Sequence, residues 1–168
     1  MAKKQPALCV TIKGQELEFK APNIKRFTRY TTKLFRGEQG AAQRELLQTS
    51  ASNAEPDEVR AIFDKAPAAI GTVADGLIEM AVGDADVDVV DGETIVLRYD
   101  GGSVKFGGPD IELWESFQAD LRDDNKRPFE VILELIYKLA DEDKEELATY
   151  IAKFPATVLP LYHATVEV

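Results

Sequence analysis

The sequence predicts an α+β fold, mostly helical, built as two tandem copies of a β-hairpin followed by three or four short helices. Three observations carry that prediction. First, the apolar frame Ile24, Phe27, Tyr30 and Leu34 returns as Ile111, Trp114, Phe117 and Leu121, each 87 positions later. Second, the turn and strand positions Gly14, Leu17, Phe19 and Pro22 return as Gly101, Val104, Phe106 and Pro109 with the same shift, and Lys65 and Pro67 return as Lys153 and Pro155 with a shift of 88. A period sustained over strands, turns and helices marks a repeated supersecondary unit. Third, residues 83–93 (GDADVDVVDGE) carry five acidic residues and no basic one, which reads as a solvated linker between the copies. The expected organisation is a first unit over 1–82, an acidic linker over 83–93 and a second unit over 94–168.

In the first unit, residues 8–12 (LCVTI) are rich in strand formers, and residues 17–20 (LEFK) alternate apolar with polar. Lys13-Gly14-Gln15 breaks the two runs and predicts a hairpin turning near Gly14. Cys9, in the first strand, reads as a small buried hydrophobe. Pro22 or Asn23 opens a helix that Gly37 and Gly40 close. At ~100° per residue its Ile24, Phe27, Tyr30, Thr31, Leu34 and Phe35 share one side. A second helix over 41–50 turns Leu46 and Leu47 inward. The run Ser-Asn-Ala-Glu-Pro at 52–56, followed by Asp57 and Glu58, starts a third helix that buries Val59, Ile62 and Phe63. After Pro67, Ile70, Val73, Leu77 and Met80 suggest a fourth, although Gly71 and Gly76 weaken it.

In the second unit, residues 94–99 give a strand, Asp100-Gly101-Gly102 a turn and residues 103–106 its partner. A helix follows Pro109, with Ile111 and Trp114 expected on its buried stripe. Residues 128–139 form a strongly apolar helix, and residues 141–153 a short one with Leu147, Tyr150 and Ile151 inward. Pro160 kinks or restarts the final segment.

The net charge of −10 and the pI near 4.7 argue against a general nucleic-acid binder. That charge is unevenly placed. Residues 1–82 hold 12 basic against 10 acidic side chains (+2), and residues 83–168 hold 8 against 20 (−12). No stretch approaches the ~20 apolar residues of a membrane span. The charged start MAKKQPALCVTIKG lacks the apolar run of a signal peptide, and Cys9 is the only cysteine, so a cytoplasmic location is expected.

No pattern calls for a metal, a cofactor or a catalytic group. Asp84-x-Asp86-x-Asp88 opens like a calcium loop, but Val89 and Ile95 stand where that loop needs Gly and Glu. The glycine pairs lack the Gly-Lys-Ser/Thr that cradles phosphate. His163, the only histidine, has no hydrolase pattern beside it. What remains is surface charge. Lys25, Arg26, Arg29, Lys33 and Arg36 form one face of the first helix with no acidic residue among them. The equivalent helix carries Asp110, Glu112, Glu115 and Asp120. These nine residues are the expected protein-binding positions, and copies of the chain could pair basic face to acidic face, head to tail.

The first unit resembles the tail assembly chaperones of long-tailed bacteriophages. The residues that carry the likeness are Leu-Glu-Phe-Lys-Ala-Pro at 17–22, Phe27 and Tyr30, and Gly37 with Ala41, Ala42 and Arg44-Glu45-Leu46-Leu47. Pro56-Asp57-Glu58-Val59, Phe63 and Pro67 complete it. It covers about residues 10–82, and 94–168 only through the internal repeat. The resemblance implies a non-catalytic protein of the host cytoplasm that binds the tape-measure protein and/or tail-tube subunits before the tail is assembled. In that family a longer form often arises by ribosomal frameshifting. Many members have one such unit, so the acidic second copy is a departure. A structural virion protein, such as a neck, tail-terminator or capsid accessory subunit, is the alternative.

Overall fold

The computed structural model describes residues 7–168; the charged start of the chain, residues 1–6, lies outside them. The fold is mixed α+β, 58% helical and 19% strand. The chain divides into two compact units, Met1–Ala81 and Val82–Val168.

The first unit opens with an antiparallel hairpin of β1 (Ala7–Ile12) and β2 (Gln15–Lys20), in register Leu8 to Phe19 and Val10 to Leu17. Its two-residue turn has positive φ at both Lys13 and Gly14, which matches the twist of the strands. Leu17 and Phe19 alternate into the core. The strand's polar face points outward, and Cys9 lies on the exposed side of β1, not in the core. Period-two alternation decides this, because Leu8 and Val10 take the inward positions on either side of it.

Four helices follow: α1 (Ile24–Phe35), α2 (Gln39–Ser50), α3 (Pro56–Asp64) and α4 (Ala68–Val82). Asn23 caps α1, its Oδ1 accepting from Arg26 N at 3.0 Å. Gly37 at φ +78° ends it, with Gly37 N donating to Leu34 O (3.0 Å) and Glu38 N to Lys33 O (2.9 Å), the paired bonds of a Schellman stop. Gly40, expected to help end α1, is instead inside α2. The end of α2 pairs back onto the hairpin through a bridge between Ala51 and Phe19, with Ser52 N donating to Glu18 O at 2.8 Å. That contact occupies the outer edge of β2. Among the described residues the outer edge of β1 has no strand beside it. Helix α4 runs unbroken through Gly71 and Gly76. At Gly76 a methyl group would lie 3.2 Å from Leu8 Cδ2, so the glycine lets α4 approach β1 closely.

The second unit departs from expectation at its start. Residues 83–93 are not a linker, because β3 (Asp86–Val90) forms there and pairs antiparallel with β4 (Thr94–Tyr99). The acidic residues take one face of the strand, where Asp88 meets Arg98 across the ladder at 2.5 Å, and Val87 and Val89 turn inward, half-buried. Strand β5 (Gly102–Phe106) completes a sheet of order β3-β4-β5. Helices α5 (Ile111–Leu121), α6 (Pro128–Leu139), α7 (Lys144–Lys153) and α8 (Val158–Glu167) follow, with a 3-10 turn at Pro155–Thr157 before α8. Pro160 sits in the first turn of α8, where its missing N–H costs nothing, so the helix restarts there. Helix α8 packs on β3, β4 and α6. A bridge from Ala140 to Phe106 ties the end of α6 to β5.

The beginning of this unit is tied to its last third. The Tyr150 hydroxyl lies 2.9 Å from Asp84 Oδ1 and 3.2 Å from the Val82 carbonyl, which also accepts from Thr157 Oγ1 at 3.0 Å. Tyr99 stacks on Tyr150 with centroids 4.4 Å apart.

Candidate protein-binding site

Capping by Asn23 sets the phase of α1, and burial of Phe27, Thr28, Tyr30 and Thr31 then decides which side faces water. Lys25, Arg29 and Arg36 are exposed and Arg26 is half-buried. Lys33 is not without a counter-charge, as the sequence of α1 alone suggests: its Nζ pairs with Glu45 of α2. The partner lies on a neighbouring helix, where a reading confined to one helix cannot see it. Arg26, Arg29, Tyr30, Glu45 and Thr49 line the shallow seam between these helices. Burial, and then the nearby Asp75 carboxylate, hold the Tyr30 phenol above its usual pKa. Among the described residues, the part of the basic face left exposed and without a salt bridge is Lys25, Arg29 and Arg36, with Phe35 (49% exposed) next to Arg36 in the chain.

The four expected acidic positions at α5 divide in the same way. Asp110 is the N-cap, accepting from Leu113 N at 2.8 Å. Asp120 pairs with Lys126 at 2.6 Å, and that hydrogen bond raises the lysine's pKa. Glu112 and Glu115 are exposed. The buried stripe expected on this helix is only partly buried. Phe117 is in the core, but Trp114 is half-buried and Ile111 is 69% exposed. The helical wheel explains the difference. Leu113, Phe117, Leu121 and Trp114 fall within an arc of ~100°, and Ile111 lies ~60° outside it. Matching Ile111 to the half-buried Ile24 concealed a signal that was present in α5 itself.

The sequence reading missed the contribution of α8. Tyr162 packs its ring on Phe117 at 5.8 Å, and Phe117 lies 5.2 Å from Trp114. Val166 is 58% exposed. His163 is exposed, with the Tyr162 ring as its neighbour.

Among the described residues, no group of three or more His, Cys, Asp or Glu side chains is placed to hold a metal ion, and no helix is long and apolar enough to cross a membrane. Asp84, the first carboxylate of the calcium-like run, accepts from Tyr150 and from Asp100 N, which places it in structural bonds. The two helix surfaces can contact another polypeptide through charge and apolar area. No family model, curated protein or solved structure matches this chain.

Proposed function

We propose that this chain is a non-catalytic tail assembly chaperone of a bacteriophage, acting in the host cytoplasm on the tape-measure protein and/or tail-tube subunits. The observation that supports it best is on α5, where Ile111 and Trp114 reach solvent beside the exposed Glu112 and Glu115. Large apolar side chains clustered on a charged surface mark a place where another protein is covered. A tape measure is a long helical protein whose apolar seams are open to water until the tube encloses it. Small helices presenting apolar residues with a charged rim suit such a client. Charge at the rim steers the encounter and sets orientation, while apolar contact supplies most of the hold, since an exposed ion pair contributes only ~0–1 kcal/mol.

The test is affinity purification of the tagged chain from infected cells, followed by identification of what it carries. A tape-measure or tail-tube protein in the eluate, together with absence of the chain from mature particles, is the expected result. Presence in mature particles at fixed copy number would instead make it a structural virion subunit.

A further inference from the structure

We infer that α5 and α8 together form a docking groove for a basic amphipathic helix of a partner protein, with Ile111 and Trp114 as its apolar anchors. This deepens the chaperone reading and rests on it for the kind of partner. Two contacts fix the geometry. The Phe117 and Tyr162 rings meet at 5.8 Å, and a methyl group at Gly108 would lie 3.4 Å from Val168 Cγ2. Gly108 precedes α5 and Val168 follows α8, so the segments 108–117 and 162–168 run in opposite directions between these two contacts, with Ile111 and Trp114 on the one and Val166 on the other. Ile111, Val166 and Val168 are all exposed, and the half-buried Trp114 and Tyr162 rings continue the apolar surface. A ridge-lined seam between two antiparallel helices is the shape that accepts a third helix.

Charge chooses the partner. Neither 111–121 nor 158–167 contains a single Lys or Arg, while Asp110, Glu112, Glu115 and Glu167 stand exposed. The most basic helix of this chain, α1, is a poor occupant when offered by a second copy. Its Phe27, Tyr30 and Thr31 are already buried within the first unit, and only Phe35 remains as an exposed large apolar residue. It supplies charge without a stripe. The occupant is a helix whose apolar stripe is free and whose flanks carry Lys or Arg.

Trp114 is the chain's only tryptophan and sits in the groove, so its emission reports occupancy directly. The probe is an 18-residue amphipathic peptide of leucine and lysine, titrated into the intact protein, with a leucine and glutamate peptide of the same pattern as control. The expected result is a saturable blue shift at one basic peptide per chain and none with the acidic peptide. Ile111→Asn, and separately Val166→Asn, should each weaken binding at least tenfold with no change in net charge. Because both side chains are exposed, their thermal midpoints should stay at the wild-type value. Absence of a shift, or binding by both variants as tight as that of the wild type, overturns the proposal. A blue shift on concentrating the protein alone also overturns it, since a second copy would then be the occupant. Capture of a tail protein from infected cells by a chain that ignores the peptide would refute the groove and leave the chaperone reading standing.

Discussion

Phe27 and Trp114 occupy the same place in the repeated apolar frame and have different fates. Phe27 is 0% exposed, whereas Trp114 keeps part of its ring in water. Phe27→Ala should cost roughly 3–5 kcal/mol in chemical denaturation. Trp114→Ala should cost about 1–2 kcal/mol, the ordinary range for a partly exposed position. Equal losses would mean that Trp114 is a core residue after all. Tyr150 supports a second expectation. Burial first, then its hydrogen bond to Asp84, push its phenol well above the usual range, and Tyr30, Tyr99 and Tyr137 are raised as well, burial being the largest cause in each. A folded chain that keeps protons which the unfolded chain gives up above pH ~10 is most stable below that pH. It loses stability as pH climbs toward the folded-state values. The denaturation midpoint should therefore fall above pH ~10. In Tyr150→Phe the fall should be shallower, with about 0.5–1.5 kcal/mol lost at neutral pH from the missing hydrogen bond.

Turns and caps were the elements most legible in the sequence, because their residues have few other uses. Gly14 and Gly101 mark the hairpin turns, Gly37 stops α1, and Pro56 opens α3 beside Glu55, whose N–H lies 3.3 Å from Glu58 Oε2. Gly37→Ala should destabilise by about 1 kcal/mol, since an L side chain is strained at φ +78°. A gain in melting temperature would show that the Schellman stop is dispensable. Strand β3 was illegible for a physical reason. Its acidic content outweighed an alternation only five residues long, and Val87 and Val89 are half-covered only once β4 and α8 pack against them. The same limit hid the Lys33–Glu45 pair and the apolar side of α8. Each depends on which helix lies next to which, and one-dimensional periodicity does not carry that. For the candidate site, the charges of α5 were legible, and the exposure of Ile111 and Trp114 was not.

Across the whole chain, each unit closes its helical pair back onto a strand in the same way. Ala51 bridges Phe19 and Ala140 bridges Phe106, while Ser52 N bonds Glu18 O and Asp141 N bonds Lys105 O. Phe19 and Phe106 are 87 positions apart, whereas Ala51 and Ala140 are 89 apart. The extra residues fall in the connection between α5 and α6 (122–127), which is longer than that between α1 and α2 (36–38). We read this as duplication of a hairpin-plus-two-helix segment, with β3 added ahead of the second copy. Failure of β2-α1-α2 and β5-α5-α6 to superimpose in a crystal of the protein would refute it. The outer edge of β1, unpaired among the described residues, has a different consequence. Its sequence, ALCVTI, contains no charged residue, whereas β3 carries Asp86 and Asp88. Edge strands guarded by charge resist joining strangers, and unguarded ones invite it. When the protein is overproduced, clumping should begin at β1, and Thr11→Lys, on its exposed face, should raise the yield of clear lysate and delay turbidity on heating. A variant that precipitates as the wild type does would place the weak point of the molecule elsewhere.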